Sequence, residues 1–127
     1  MFSKLVYMSV FVSDQDRALD FYTNVLGFEK RVDNRGPLGR FVGVGLPGQE
    51  LMVVLCLGTP GKPSSTGGAA PGAVVVETDD CRKCFEALKA GGVKLETAEP
   101  LDQPWGRVVI ARDLDGNRIQ IVERPKQ

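Results

Sequence analysis

The chain has no histidine among its 127 residues. That excludes Ser-His-Asp and Cys-His nucleophile arrangements and every His-containing zinc site. It also removes the side chain whose unperturbed pKa lies nearest neutrality. Cysteine is scarce: Cys56, Cys81 and Cys84 are the three. An odd number of cysteines points to free thiols in a reducing compartment. Net charge is absent, with 16 Lys plus Arg against 16 Asp plus Glu. Composition therefore gives no electrostatic reason to expect nucleic acid or an anionic membrane as partner. No apolar run approaches the roughly 20 residues that cross a bilayer. The opening Met1-Phe2-Ser3-Lys4 leads into alternating strand-like residues, so no secretion signal is expected and the reading is cytoplasmic.

What is present fits a soluble globular domain: 43% hydrophobic and 25% charged residues. The length suits one domain, 1–127, with a modest core. Leu5 to Val12 is β-rich. Ser13 then serves as an N-cap, with Asp14 and Asp16 in the first turn of a helix. Ala18, Phe21, Tyr22, Val25 and Leu26 recur at helical spacing, and Gly27 stops it. Strands follow near Glu29–Val32, Arg40–Gly45 and Leu51–Cys56.

Leu57 to Gly72 holds five Gly and three Pro and reads as a connector, either a lid or an inert linker. The order then restarts. Ala73–Thr78 is a strand, Asp79 or Asp80 caps a helix with Cys84, Phe85 and Leu88 on its apolar side, and Gly91-Gly92 ends it. Strands are expected at Val93–Leu95, Gly106–Arg112 and Arg118–Val122, with a turn at Asp113–Asn117. A shift of 66 residues lays Val10 on Val76 and Asp14 on Asp80, the mark of an internal repeat.

Two motif matches carry less than their letters suggest. Cys81-Arg82-Lys83-Cys84 is a CxxC at a helix start, where the dipole lowers a thiol pKa. Asp79 and Asp80 oppose that effect, and a structural zinc needs a second pair where only Cys56 remains. The plainer reading, one buried and one half-exposed small residue, prevails. Gly43-x-Gly45-x-x-Gly48 matches the dinucleotide fingerprint, but Pro47 interrupts it and a strand follows, not a helix.

The stretch Val12-Ser13-Asp14-x-x-Arg17-Ala18-Leu19-x-Phe21-Tyr22-x-x-Val25-Leu26-Gly27-Phe28 resembles the opening module of the vicinal oxygen chelate superfamily. That group includes glyoxalases, bleomycin-resistance-type binding proteins and extradiol dioxygenases. Trp105-Gly106-Arg107 and Arg112-Asp113-x-Asp115-Gly116-Asn117-x-Ile119 resemble its closing hairpin. The resemblance implies an α+β fold of two βαβββ modules in tandem. Module 1 is about 1–57, the connector 58–72 and module 2 about 73–127. Each sheet curls into half a barrel, and the family typically works as a homodimer with clefts that use one or both subunits.

The family's enzymes hold a divalent metal with four inward residues, commonly His, Glu or Gln. Aligned by motif, those places here are Tyr7, Met52, Ala73 and Gln120. Only Gln120 is a plausible donor, and shifting the register to include Glu50 adds only one carboxylate. The expectation is no metal and no cofactor.

Strand alternation then assigns the lining of the expected cleft. Tyr7, Ser9 and Phe11 share a face, as do Met52, Val54 and Cys56, Ala73, Val75 and Glu77, and Gln120 and Val122. Arg107, Val109 and Ala111 form one face of their strand, expected to be the inner one. Trp105 and Phe11 are stacking candidates or core fillers. Arg107 is a carboxylate clamp or a solvated strand residue. Glu77, if inward, pairs with Arg107 or meets a cationic ligand, and desolvation there makes it the one general-base candidate.

The leading expectation is a metal-free protein that binds a small, partly apolar or aromatic molecule in an inter-module or inter-subunit cleft. The alternatives are a metal-dependent glyoxalase-like lyase/isomerase or extradiol-type dioxygenase with an atypical ligand set, and a metal-free enzyme with Glu77 as base and Arg107 as electrostatic stabiliser.

Overall fold

A computed structural model of the chain describes residues 1, 3, 5–36, 39–58, 74–104 and 106–124. Ala73, Trp105 and all but the first residue of the expected connector lie outside the described residues. The architecture is α+β, with mixed sheets and few helices. The chain divides into two units, Met1–Gly61 and Lys62–Gln127. Among the described residues no helix is long and apolar enough to cross a membrane.

In the first unit the chain runs β1 (Tyr7–Val12), α1 (Gln15–Asp20), β2 (Glu29–Gly36), β3 (Gly39–Gly45) and β4 (Met52–Leu57). The sheet order is β1-β4-β3-β2, with β1 and β4 parallel and the other pairs antiparallel. The cap of α1 is Asp14, one residue later than the sequence suggested. Asp14 holds extended backbone angles, φ −145° and ψ 111°, and its carboxylate accepts the Arg17 N–H at 3.0 Å.

Past Asp20 the helix widens into a π-helical turn, Phe21–Val25. There the Thr23 hydroxyl donates to the Leu19 carbonyl at 2.8 Å, and the Leu26 N–H reaches back five residues to Phe21. Gly27, at φ +81°, then turns the chain, as its position predicted. Ala18, Phe21 and Tyr22 are buried, as are Val10, Val12, Val42, Val44 and Leu55 of the strands. Gln15 ties α1 to the sheet by donating to the carbonyls of Arg40 and Leu55 at 3.0 and 2.9 Å.

In the second unit the order is β5 (Val74–Glu77), α2 (Cys81–Ala90), β6 (Lys94–Leu95), β7 (Leu101–Gln103), β8 (Gly106–Arg112) and β9 (Arg118–Glu123). The sheet runs β5-β9-β8-β6, and β7 also pairs with β8. As in the first unit, the first and last strands are parallel neighbours. The registers repeat as well: a shift of 66 residues carries the pair Ser9–Val54 onto Val75–Gln120.

Asp80 caps α2, its carboxylate accepting the Lys83 N–H at 3.0 Å. Glu123 adds a second cap by accepting the Cys81 N–H at 2.6 Å. The buried side of α2 is Cys81, Phe85 and Leu88, whereas Cys84 is half-buried. The expected roles of the two cysteines are therefore exchanged.

Candidate functional site

Each sheet has one face against its helix and one face open. In the first unit Val10, Val12, Val42, Val44 and Leu55 take the helix side. Alternation puts Tyr7, Ser9 and Phe11 on the opposite side. Their register partners Met52, Val54 and Cys56 share it, as the sequence predicted. So do Phe41 and the Cα atoms of Gly43 and Gly45, since Gly43 pairs with Val54 and Gly45 with Met52. The Tyr7 and Phe41 rings meet edge to face across this surface, 5.6 Å apart at 78°.

The two glycines are hollows that neighbouring side chains fill. A Cβ on Gly43 would lie 2.9 Å from Val32 Cγ1 and 3.0 Å from Met52 Sδ. A Cβ on Gly45 would lie 2.8 Å from Arg31 Cζ and 3.0 Å from both Nη1 and Nη2. The central carbon is nearest, so the guanidinium lies face-on over Gly45; an edge-on approach would bring a nitrogen nearest. A β-bulge between Lys30 and Val32 makes this placement available, because it leaves Arg31 as an extra residue in the ladder. The guanidinium edge is anchored twice, by Nε to Glu29 Oε1 at 2.8 Å and by Nη2 to the Leu46 carbonyl at 2.5 Å.

In the second unit the open face carries Val75 and Glu77 on β5 and Gln120 and Val122 on β9. On β8 it carries Val108, Ile110 and Arg112, because Ile110 pairs with Gln120 and Val108 with Val122. This corrects the expectation for Arg107, Val109 and Ala111 by one residue. Val109 and Ala111 are fully buried on the helix side, opposite Ile121 and Ile119. Arg107 shares that side, and its Nε donates to Asp102 Oδ1 at 2.8 Å. Asp102 holds the Arg107 guanidinium above its ordinary pKa. Glu77 is exposed and pairs at 2.7 Å with Arg124, not with Arg107.

One polar feature of this face was not read from the sequence. Arg112 and Arg118 stand directly opposite each other on β8 and β9, and Glu96 forms ion pairs with both. Beside the Arg118 pair, the turn is held by Asp113, which accepts the backbone N–H of Asp115 and Asn117 at 2.9 and 2.8 Å.

The thiols are not poised for redox work. Burial, with the nearby Glu123 carboxylate, pushes the Cys81 thiol up to about 11, and burial also raises that of Cys84. Both are protonated at neutral pH, and all three cysteines are free.

The four places that the family resemblance assigns to a metal do not form a donor set. Tyr7 and Met52 are register partners, and Gln120 lies on the open face of its own sheet. The 66-residue repeat matches Gln120 with Val54, not with Met52. A phenol, a thioether or an isopropyl group, a methyl and one neutral amide do not suit a hard divalent cation. Separately, an open recess of about 410 Å³ beside α1 is lined by Leu19, Asp20, Thr23, Asn24, Phe28 and Lys30. It includes none of the residues expected to line the cleft.

The family model for the Glyoxalase/Bleomycin resistance protein/Dioxygenase superfamily matches residues 4–121. Among solved structures, a member of that superfamily from Sphaerobacter thermophilus DSM 20745 aligns with a TM-score of 0.83 at 33% identity, covering 97% of this chain and 98% of the other. TnmS3, an antibiotic binding protein from Streptomyces sp. CB03234, aligns with a TM-score of 0.81 at 32% identity over 98% of each chain. The protein YurT of Bacillus subtilis (strain 168), described as uncharacterized, is 34% identical over 138 residues, spanning 95% of this chain and 99% of its own.

Proposed function

Because the chain belongs to the glyoxalase/bleomycin resistance protein/dioxygenase superfamily, and its metal places hold no usable donor set, we propose that it is a metal-free binding protein for a small, partly apolar or aromatic molecule. The ligand lies on an open sheet face, against Tyr7, Phe11 and Met52 in the first unit, where Val54 shares the face but is buried. Ser9 shares that face, and in the second unit Val75 and Gln120 share the open face of their own sheet. Trp105 and Ala73 belong to the proposed lining by sequence position alone.

The observation that carries this reading is the make-up of the first unit's open face. It offers rings, a thioether and aliphatic groups around two side-chain-free positions, the composition of a small-molecule site. The antibiotic-binding activity of TnmS3, at 32% identity, supports binding over chemistry. We further propose that the chain is a tandem of two βαβββ modules that assembles as a homodimer. The exposed apolar residues of edge strand β1, Tyr7 and Met8, with Leu5 and Val6 before it, supply a surface suited to burial.

A thermal-shift screen of aromatic natural products and divalent metals tests the function. The reading expects the melting temperature to rise with an aromatic compound and to stay put with Ni(II), Mn(II), Zn(II) or Fe(II). Stabilisation by a metal alone, with turnover of a thiol adduct or a catechol, contradicts it. Native mass spectrometry tests the assembly: a species of two chains is expected, and a monomer at micromolar concentration contradicts it.

A further inference from the structure

We infer that Arg31 is the specificity-determining residue of the first unit's open face, a fixed cationic plane that selects a flat, electron-rich aromatic ring. The inference deepens the binding-protein reading and rests on it.

Three observations converge on this one side chain. Alternation from Glu29 puts Arg31 on the open face, and the β-bulge puts Val32 in its place opposite Gly43, so Arg31 has no ladder partner and lies against Gly45. Gly45 leaves its backbone bare, and the guanidinium lies flat on it with Cζ 2.8 Å from the position of a Cβ. Glu29 and the Leu46 carbonyl take hydrogen bonds from its edge. One π face is thus covered by backbone and the rim is tied, so the plane is held parallel to the sheet. The opposite π face is directed away from the strands, and the side chain keeps 22% of its surface exposed.

A guanidinium presented face-on is a partner for an aromatic face through cation–π attraction and planar stacking. The ordering cost has been met before any ligand arrives. Met52, whose sulfur lies over the neighbouring Gly43, adds a soft contact beside it. An ammonium has no plane to offer, so lysine does not replace this arginine.

Gly45 follows from the same geometry. Any side chain there occupies the space that the guanidinium uses, so even a methyl lifts the platform off the strand. Gly43 and Gly45, whose spacing has no dinucleotide-binding context, acquire a reason as the floor of a ligand shelf.

The test uses N-phenyl-1-naphthylamine as a neutral fluorescent probe on the full chain, displaced by 2-naphthol or by its saturated counterpart decahydro-2-naphthol. The two competitors match in skeleton and hydroxyl and differ in having a π face. The wild type is expected to bind one probe per chain and to prefer 2-naphthol by about threefold to thirtyfold. Arg31→Met, Arg31→Lys and Gly45→Ala are each expected to bring that ratio near one.

A purely structural Arg31 predicts a lower melting temperature with the ratio unchanged. An unchanged ratio in any folded variant overturns the inference and leaves the binding reading standing. Equal displacement by both competitors in the wild type does the same. Failure of the wild type to bind the probe or either competitor overturns both. Should Arg31→Met fail to fold, Arg31→Lys and Gly45→Ala carry the test, since each keeps a cation at position 31.

Discussion

Gln120 stands directly across the β8–β9 ladder from Ile110, which places Arg107 on the opposite side of the sheet, among the residues facing α2. The consequence is an open face of the second unit built from Ile110 and Gln120, with Val108 on the same side but buried. Its charged end is Arg112, Arg118 and Glu96.

Arg107→Ala is therefore expected to leave ligand affinity unchanged. Its ion pair with Asp102 is solvent-facing, so the stability change stays within about 1 kcal/mol. Denaturant unfolding and probe titration of the same variant check both halves. A tenfold loss of affinity would show that Arg107 reaches the ligand.

Glu77→Gln is expected to behave alike, because Glu77 is exposed and engaged by Arg124. The binding-protein account gives it no proton to transfer. Retained affinity, with a stability change within about 1 kcal/mol, is the expected result of calorimetry and unfolding. A variant that binds normally but abolishes turnover of some substrate would restore Glu77 as a base.

Much of this arrangement is legible in the sequence, and the parts that are not have identifiable causes. The faces of β1 and β4 follow from alternation, because Val10 and Val12 on one side and Tyr7, Ser9 and Phe11 on the other differ in what they bury. For β8 that logic has no phase. Val108, Val109 and Ile110 are consecutive apolar residues, and only the ladder to β9 decides which of them faces α2. β7 is three residues between two prolines, too short for a pattern. Alternation alone gives the side of Arg31, but its place against Gly45 comes with a bulge that puts Val32 opposite Gly43 and carries no local signature. Two glycines alternating within a strand were the available clue, since such positions mark a close approach by something else.

The two faces of the first sheet predict different mutational costs. Leu55 is fully buried on the helix side, so Leu55→Ala is expected to cost about 3 kcal/mol. Phe41, on the open side and 36% exposed, is expected to cost less in stability while weakening ligand binding when changed to Ala. Denaturant unfolding paired with probe titration separates the two. Equal stability losses with unchanged binding would contradict the assignment of faces.

Helix α2 is capped by Asp80, not Asp79. Asp80→Ala is expected to destabilise by about 1 kcal/mol and Asp79→Ala by less than about 0.5 kcal/mol, read from chemical unfolding midpoints.

Cys81 gives a pH dependence. Its folded-state pKa is raised from 9.0 to about 11, so the neutral thiol favours the folded chain. That contribution is complete below pH 9 and is lost as pH rises toward 11. Cys81→Ser is expected to flatten this alkaline decline in melting temperature. At pH 7.5 iodoacetamide is expected to label Cys81 more slowly than a free thiol, because little thiolate is present and the side chain is fully buried.

The most direct test of the central claim is equilibrium binding of N-phenyl-1-naphthylamine to chelator-treated protein, repeated with Ni(II), Mn(II), Zn(II) or Fe(II) added in excess. The account predicts the same affinity throughout, with no metal retained after desalting. Binding that appears only with a metal, or one metal ion retained per chain, would contradict it.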